Sequence, residues 1–199
     1  DSIVEALRLR KDGIKNPILV LGYTLPARLI DAARHDIIVS VSSFDALKAL
    51  AALRKRPKFH LKFDTGMCRQ GFLPSETQKL IKFLTIKRML PHGMFTHFAS
   101  AKDPNDRAYT ERQFKQFRGV LSSFQSSSFQ FSVCHAAATG GVLLFPGAHL
   151  DMVRIGMGLY GYWPSEEIGI MNYESGIRNG TSRMILKPVL TWKSIIAEI

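Results

Sequence analysis

Short, branched apolar runs recur along the chain, and between them lie longer stretches in which apolar positions return every three or four residues. Side chains alternate faces along a strand and repeat every 3.6 residues along a helix. The pattern therefore predicts strands linked by crossover helices, an α/β fold built on a parallel sheet. Six strands are expected, at residues 18–22, 37–41, 59–63, 93–98, 131–135 and 150–155. The helices between them have recognisable ends. Ser2 and Glu5 make a capping box ahead of Ala6, Leu7 and Leu9, with Gly13 as the stop. Ser43 caps a helix running to about Lys55, Ser75 opens another straight after Pro74, and Asn105 or Asp106 precedes a long helix carrying Tyr109, Phe114, Phe117 and Leu121.

From about Trp163 the texture changes. Pro164, Gly169, Asn172, Gly176, Asn179 and Gly180 crowd together, and residues 185–199 then alternate branched apolar residues with polar ones. Two parts are expected: residues 1–163 as the β/α units, and residues 164–199 as a linker and the first strand of a β-rich domain. Six β/α units are two short of a closed eight-stranded barrel, so strand edges are expected to lie open and the piece alone to be poorly stable.

With 46% hydrophobic residues in 199, the chain can bury a substantial core. No stretch approaches the roughly 18 consecutive apolar residues of a membrane span, and no secretory signal pattern is visible. Cys68 and Cys134 form neither a CxxC pair nor a disulfide framework. Two free thiols and a cytoplasmic setting are expected. The net charge of +11 raises nucleic acid as a partner, but the basic residues are dispersed, as in Arg8, Arg10, Lys11 and Arg54, Lys55, Arg56. Dispersed charge solvates helix faces, and neither a nucleic-acid nor a membrane partner is expected.

Candidate chemistry collects just past the strands, where parallel α/β folds place their sites. Lys62 and Asp64 close the third strand ahead of the loop Thr65-Gly66-Met67-Cys68-Arg69, His97 ends the fourth, His135 the fifth and Arg154 the sixth. Each alone reads as an ordinary structural hydrogen-bonding group. Lys or Arg, His, His and Arg aimed from consecutive strands at one face would attract an anion, a phosphate-bearing ligand being the usual guest. The stretch His135-Ala136-Ala137-Ala138-Thr139-Gly140-Gly141 offers small residues and one hydroxyl as a phosphate cradle, and Gly156 offers a second close backbone approach. A Gly pair after a strand is by itself only a turn, so the argument needs the motifs together.

Together they resemble the alanine racemase family. Residues 61–72, Leu-Lys-Phe-Asp-Thr-Gly-Met-Cys-Arg-Gln-Gly-Phe, are similar to its Lys-x-Asp-Thr-Gly-Met-x-Arg-x-Gly motif. Residues 95–100 look like its next strand, His135-Ala136-Ala137 like the start of its phosphate loop, and residues 151–161 like its last barrel strand. Residues 186–190 then resemble the approach to its C-terminal β domain. The resemblance implies a partial (β/α)8 TIM barrel followed by the beginning of a β-rich domain, with pyridoxal 5'-phosphate as cofactor. It implies that Arg154 hydrogen-bonds the cofactor's pyridine nitrogen, and that Arg69 faces its phenolic oxygen and the substrate carboxylate. Lys62, carbamylated in many members, would orient Arg69. His97 and His135 would position the ring and Arg154, while Thr139, Gly156 and Met157 would hold the phosphate. The family usually has Asn-Ser where this chain has Ala138-Thr139, so the hydroxyl survives and the amide is lost.

Neither family base is found. The Schiff-base Lys sits in a segment like Lys-Ala-Asn-Ala-Tyr-Gly-His-Gly, expected upstream of Asp1, and the opposing Tyr comes from the second domain of a partner subunit. Tyr160 and Tyr162 belong to the last barrel unit and are not substitutes. The resemblance thus implies a homodimeric racemase interconverting L- and D-alanine for peptidoglycan, with no catalytic base in these residues and no activity from them alone. A serine or broad-specificity racemase of the same fold, and a non-catalytic pyridoxal-phosphate-binding barrel, stand as alternatives.

Overall fold

The computed structural model describes residues 2–175 and 185–188. Its six strands are β1 (Ile18–Val20), β2 (Ile37–Val41), β3 (Phe59–Lys62), β4 (Gly93–Phe95), β5 (Val133–Ala138) and β6 (Met152–Arg154). All pair in parallel and in sequence order, β1-β2-β3-β4-β5-β6, which is a half-barrel. The helices are α1 (Ile3–Lys11), α2 (Leu29–Arg34), α3 (Phe44–Ala51), α4 (Thr77–Ile86), α5 (Arg107–Ser126), α6 (Thr139–Leu144) and α7 (Glu166–Ser175).

The period-2 rule explains how one strand serves two environments. Phe59, Leu61 and Phe63 join the hydrophobic core formed with Leu47, Leu50, Leu80, Leu84, Phe117 and Phe124 of the surrounding helices. His60 and Lys62, on the alternate face, enter the barrel interior. Every residue of β2, β3 and β4 is buried, as expected of a parallel sheet covered on both sides. In β5 the pairing shifts register between His135 and Ala138, which sets Ala138 opposite Arg154.

All six expected strands form, several with different ends. The capping box of Ser2 and Glu5 is present, and Ser43 and Asp106 cap α3 and α5. Other expectations need correction. Helix α3 stops at Ala51 rather than near Lys55, because the residue before Pro57 is driven out of helical conformation and Arg56 Nη2 turns back to donate to the Ala51 carbonyl at 3.1 Å. Ser75 does not open α4. Pro74–Glu76 form a 3-10 turn in which Glu76 Oε2 accepts from the Leu73 N–H at 2.9 Å, and α4 follows from Thr77. Residues 166–175, expected as linker, form α7, with Ile168 fully buried. Residues 185–188 have no regular secondary structure, and the remainder of the expected strand at 185–199 lies outside the described residues.

Candidate active site

A cavity of about 880 Å³ opens at the C-terminal ends of the strands. Lys62, Arg69, His97, Thr139, Arg154, Gly156 and Met157 all line it, joined by Tyr23, Phe95 and Lys102, so seven of the eight expected site residues meet here. The eighth, His135, is wholly buried behind the wall.

Arg154 is the most constrained of them. Its Nη2 donates to the carbonyls of Ala136 at 2.7 Å and Thr96 at 2.9 Å and lies 3.1 Å from His97 Nδ1, while Nη1 meets His135 Nδ1. The Phe95 ring lies 5.4 Å below the guanidinium and stacks on His135 at 4.7 Å. The Nε–H has no partner among the described residues. Burial lowers the guanidinium to about 10, so it stays charged at neutral pH. Burial, with the Arg154 charge beside them, drives His97 down to about 4 and His135 to about 2; both imidazoles are neutral.

The loop after β3 is organised by one carboxylate. Asp64 accepts from the backbone N–H groups of Gly66 and Cys68 at 2.9 and 3.0 Å and of Arg69 at 2.8 Å. Burial works against its charge, but these bonds outweigh it and hold the carboxyl below its ordinary 3.8. Tyr109 of α5 pins the same loop by donating to the Gly66 carbonyl at 2.7 Å. The Arg69 side chain is thereby carried to the cavity, unpaired among the described residues. Lys62 stands beside it, buried, its ammonium lowered to about 8 by desolvation and then by Arg69 and Arg154, against the opposing pull of Asp64.

Thr139 starts α6, in the stretch expected as a phosphate cradle. Its Oγ1 accepts from the N–H groups of Gly156 at 3.1 Å and Gly158 at 3.4 Å, tying the ends of β5 and β6 together. A Cβ on Gly140 would lie 2.8 Å from the Ala101 carbonyl oxygen, so that close approach needs glycine; a Cβ on Gly156 would meet nothing within 4 Å. Phe95, Thr96, Tyr109 and His60 were not among the expected site residues, although the first two lie in the segment at 95–100 and Tyr109 on the expected long helix. His60 left its own signal, because it alternates with Lys62 on one strand face. Cys68 and Cys134 are free thiols, and among the described residues no helix is long and apolar enough to cross a membrane and no metal-binding cluster is present.

Residues 1–164 match the family described as alanine racemase, N-terminal domain. An alanine racemase of Desulforamulus reducens is 36% identical over 201 residues, covering 98% of this chain and 51% of its own length. That of Desulfovibrio desulfuricans is 40% identical over 168 residues, covering 82% of this chain and 45% of its own. Among solved structures, the Bacillus anthracis alanine racemase with bound L-Ala-P superimposes with a TM-score of 0.80 at 31% identity, over 94% of this chain and 47% of that one. The chain spans about half the length of the curated relatives it matches. The family match and these likenesses, together with the Lys62, Arg69 and Arg154 cavity, place the chain in the alanine racemase family, through its N-terminal domain.

Proposed function

We propose that this chain forms the pyridoxal 5'-phosphate pocket of a racemase acting on alanine, and that the complete enzyme is a homodimer supplying D-alanine for peptidoglycan. The observation that carries the reading is Arg154: both Nη atoms are engaged by protein acceptors, and the remaining Nε–H belongs to a side chain lining the cavity. A pyridine nitrogen is an acceptor and suits that donor. Thr139, Gly156 and Met157 line the cavity where a phosphate would lie, and the Thr139 hydroxyl, which accepts from the Gly156 N–H, keeps its own proton to donate. The residues present therefore fit the cofactor.

When bound, pyridoxal phosphate supplies an electron sink that eases removal of the proton on the amino acid's α carbon. Arg154 would hydrogen-bond the ring nitrogen without giving up a proton, since a guanidinium releases one only at great cost. Arg154 would in this way keep the cofactor a modest sink, which suits reprotonation over transamination. Neutral His97 and His135 hold Arg154 in place without adding charge. Arg69 offers a planar fork to the substrate carboxylate. The two bases that exchange the α proton, a Lys and the partner's Tyr, would come from segments outside these residues, and residues 164–199 would lead into the second domain.

Titrating pyridoxal phosphate into the chain tests the pocket. Binding is expected to alter the cofactor's absorbance, and Arg154→Leu is expected to weaken it by at least roughly tenfold, about 1.4 kcal/mol. Unchanged affinity in that variant would remove Arg154 from the site. The complete polypeptide should interconvert L- and D-alanine; bound cofactor without interconversion would instead favour a non-catalytic barrel.

A further inference from the structure

A row of three imidazoles crosses the barrel interior behind Arg154. His135 Nδ1 meets Arg154 Nη1, His135 Nε2 lies 3.0 Å from His60 Nδ1, and His60 Nε2 lies 3.1 Å from His92 Nδ1. His60 and His135 are 2% and 0% exposed, while His92, in the loop before β4, is half-buried. The row thus runs from the cavity wall to the opposite end of the strands.

The hydrogens follow from one end. A guanidinium has five donors and no acceptor, so His135 Nδ1 must accept. Its proton then sits on Nε2 and is donated to His60 Nδ1, and His60 in turn donates from Nε2 to His92 Nδ1. One cation fixes the tautomer of three rings. A proton added to any ring would set two donors face to face at its contact on the Arg154 side. Burial lowers His60 to about 4 and His135 to about 2, and His92 is lowered by burial and by Lys58. The charges that reach the row are Arg154 from β6 at one end and Lys58, just before β3, at the other.

Packing does not require this chemistry. Leu or Phe would fill the space without desolvating ring nitrogens, whose burial is costly unless each is bonded. Gly93 on β4 leaves room for the row, since a Cβ there would lie 2.7 Å from His60 Cε1 and Nε2.

We propose that His60 and His92 are positioning residues for Arg154: through His135 they form a directed, single-tautomer row that anchors the guanidinium and so aims its free donor into the cavity. The role of that donor rests on the racemase reading, while the row itself does not.

Nitrogen NMR of the side chains, recorded on the full chain with no pyridoxal phosphate, tests it. In the unaltered chain His60 and His135 are expected as pure Nε2–H tautomers at neutral pH, with their Nε2 protons protected from exchange. His92→Phe keeps a ring but removes the terminal acceptor. In that variant His60 should keep the Nε2–H tautomer that His135 imposes but lose the protection of that proton, and the Arg154 side-chain protons should exchange on the order of threefold faster. An Nδ1–H tautomer at His60 in the unaltered chain overturns the proposal whether or not the variant folds. Unchanged protection of the His60 Nε2 proton together with unchanged Arg154 exchange in a folded His92→Phe overturns it as well. Because no cofactor is present, failure of the pyridoxal phosphate titration with an intact row would sink the racemase reading alone.

Discussion

Lys62 is 4% exposed and makes no hydrogen bond or ion pair among the described residues, an unusual state for an ammonium. With its proton affinity lowered to about 8, a sizeable fraction is neutral amine in mildly alkaline solution. A neutral amine attacks CO2, forming an N–C bond and releasing a proton. The product is a carbamate, whose negative charge beside Arg69 would relieve the cationic crowding. Native mass spectrometry in bicarbonate should show the mass of one added CO2, lost on acidification; an unmodified Lys62 under those conditions counts against carbamylation. Asp64 makes a second prediction at this scale. Removing a carboxylate that accepts three backbone N–H groups, as in Asp64→Ala, should cost about 1.5–3 kcal/mol of stability and loosen Arg69. Denaturant unfolding measures the first effect. Both residues were visible in the sequence as polar positions closing a strand. The order among them was not, because it depends on which charges burial brings together.

At the scale of elements, the turn that returns from the Arg69 loop to the sheet depends on Gly71. Its φ is +142°, and an added Cβ would run into the backbone of Phe63 and Asp64, where Asp64 N–H donates to the Phe72 carbonyl at 2.9 Å. Gly71→Ala should therefore destabilise by on the order of 2 kcal/mol or more, read as a lowered melting temperature. A neutral substitution would mean that the turn adopts another path. Strands such as β2 were legible because their apolar runs are fully buried and bounded by polar turns. Helices α6 and α7 were not. Gly140, Gly141 and Gly169 read as turn formers, yet Gly141 packs its missing side chain against Ala137 and Phe98, and Gly169 sits against Trp163; tertiary contact overrides local propensity there.

The whole molecule is an open parallel sheet whose outer strands, β1 and β6, each pair on one side among the described residues. Around β6 several apolar side chains are exposed, including Ile155, Met157, Leu159 and Tyr160. Amide exchange should be fastest in β1 and β6 and slowest in β3 and β4; uniform protection would contradict an open edge. Acid sensitivity also belongs to this scale. In the unfolded chain the imidazoles of His60, His97 and His135 take up protons as pH falls through about 6.5, whereas folded they stay neutral to about 4 or below. The unfolded state then binds more protons, so stability should fall as pH drops from about 6.5. Below about 4 the contribution of Asp64 is lost too, as its depressed carboxyl protonates. A melting temperature constant between pH 4 and 6.5 would show that these rings titrate freely.

The sequence by itself determined the α/β rhythm, the six strands and seven residues of the cavity wall, because periodicity and position past a strand are local properties that survive without a third dimension. Only the tertiary structure decided that Arg154 gathers carbonyls from β5 and the end of β4, and that His60 and His135, 75 residues apart, share a proton. Those contacts cross parallel strands that the intervening helices bring side by side, and a hydrogen bond between distant residues leaves no period in the chain to read.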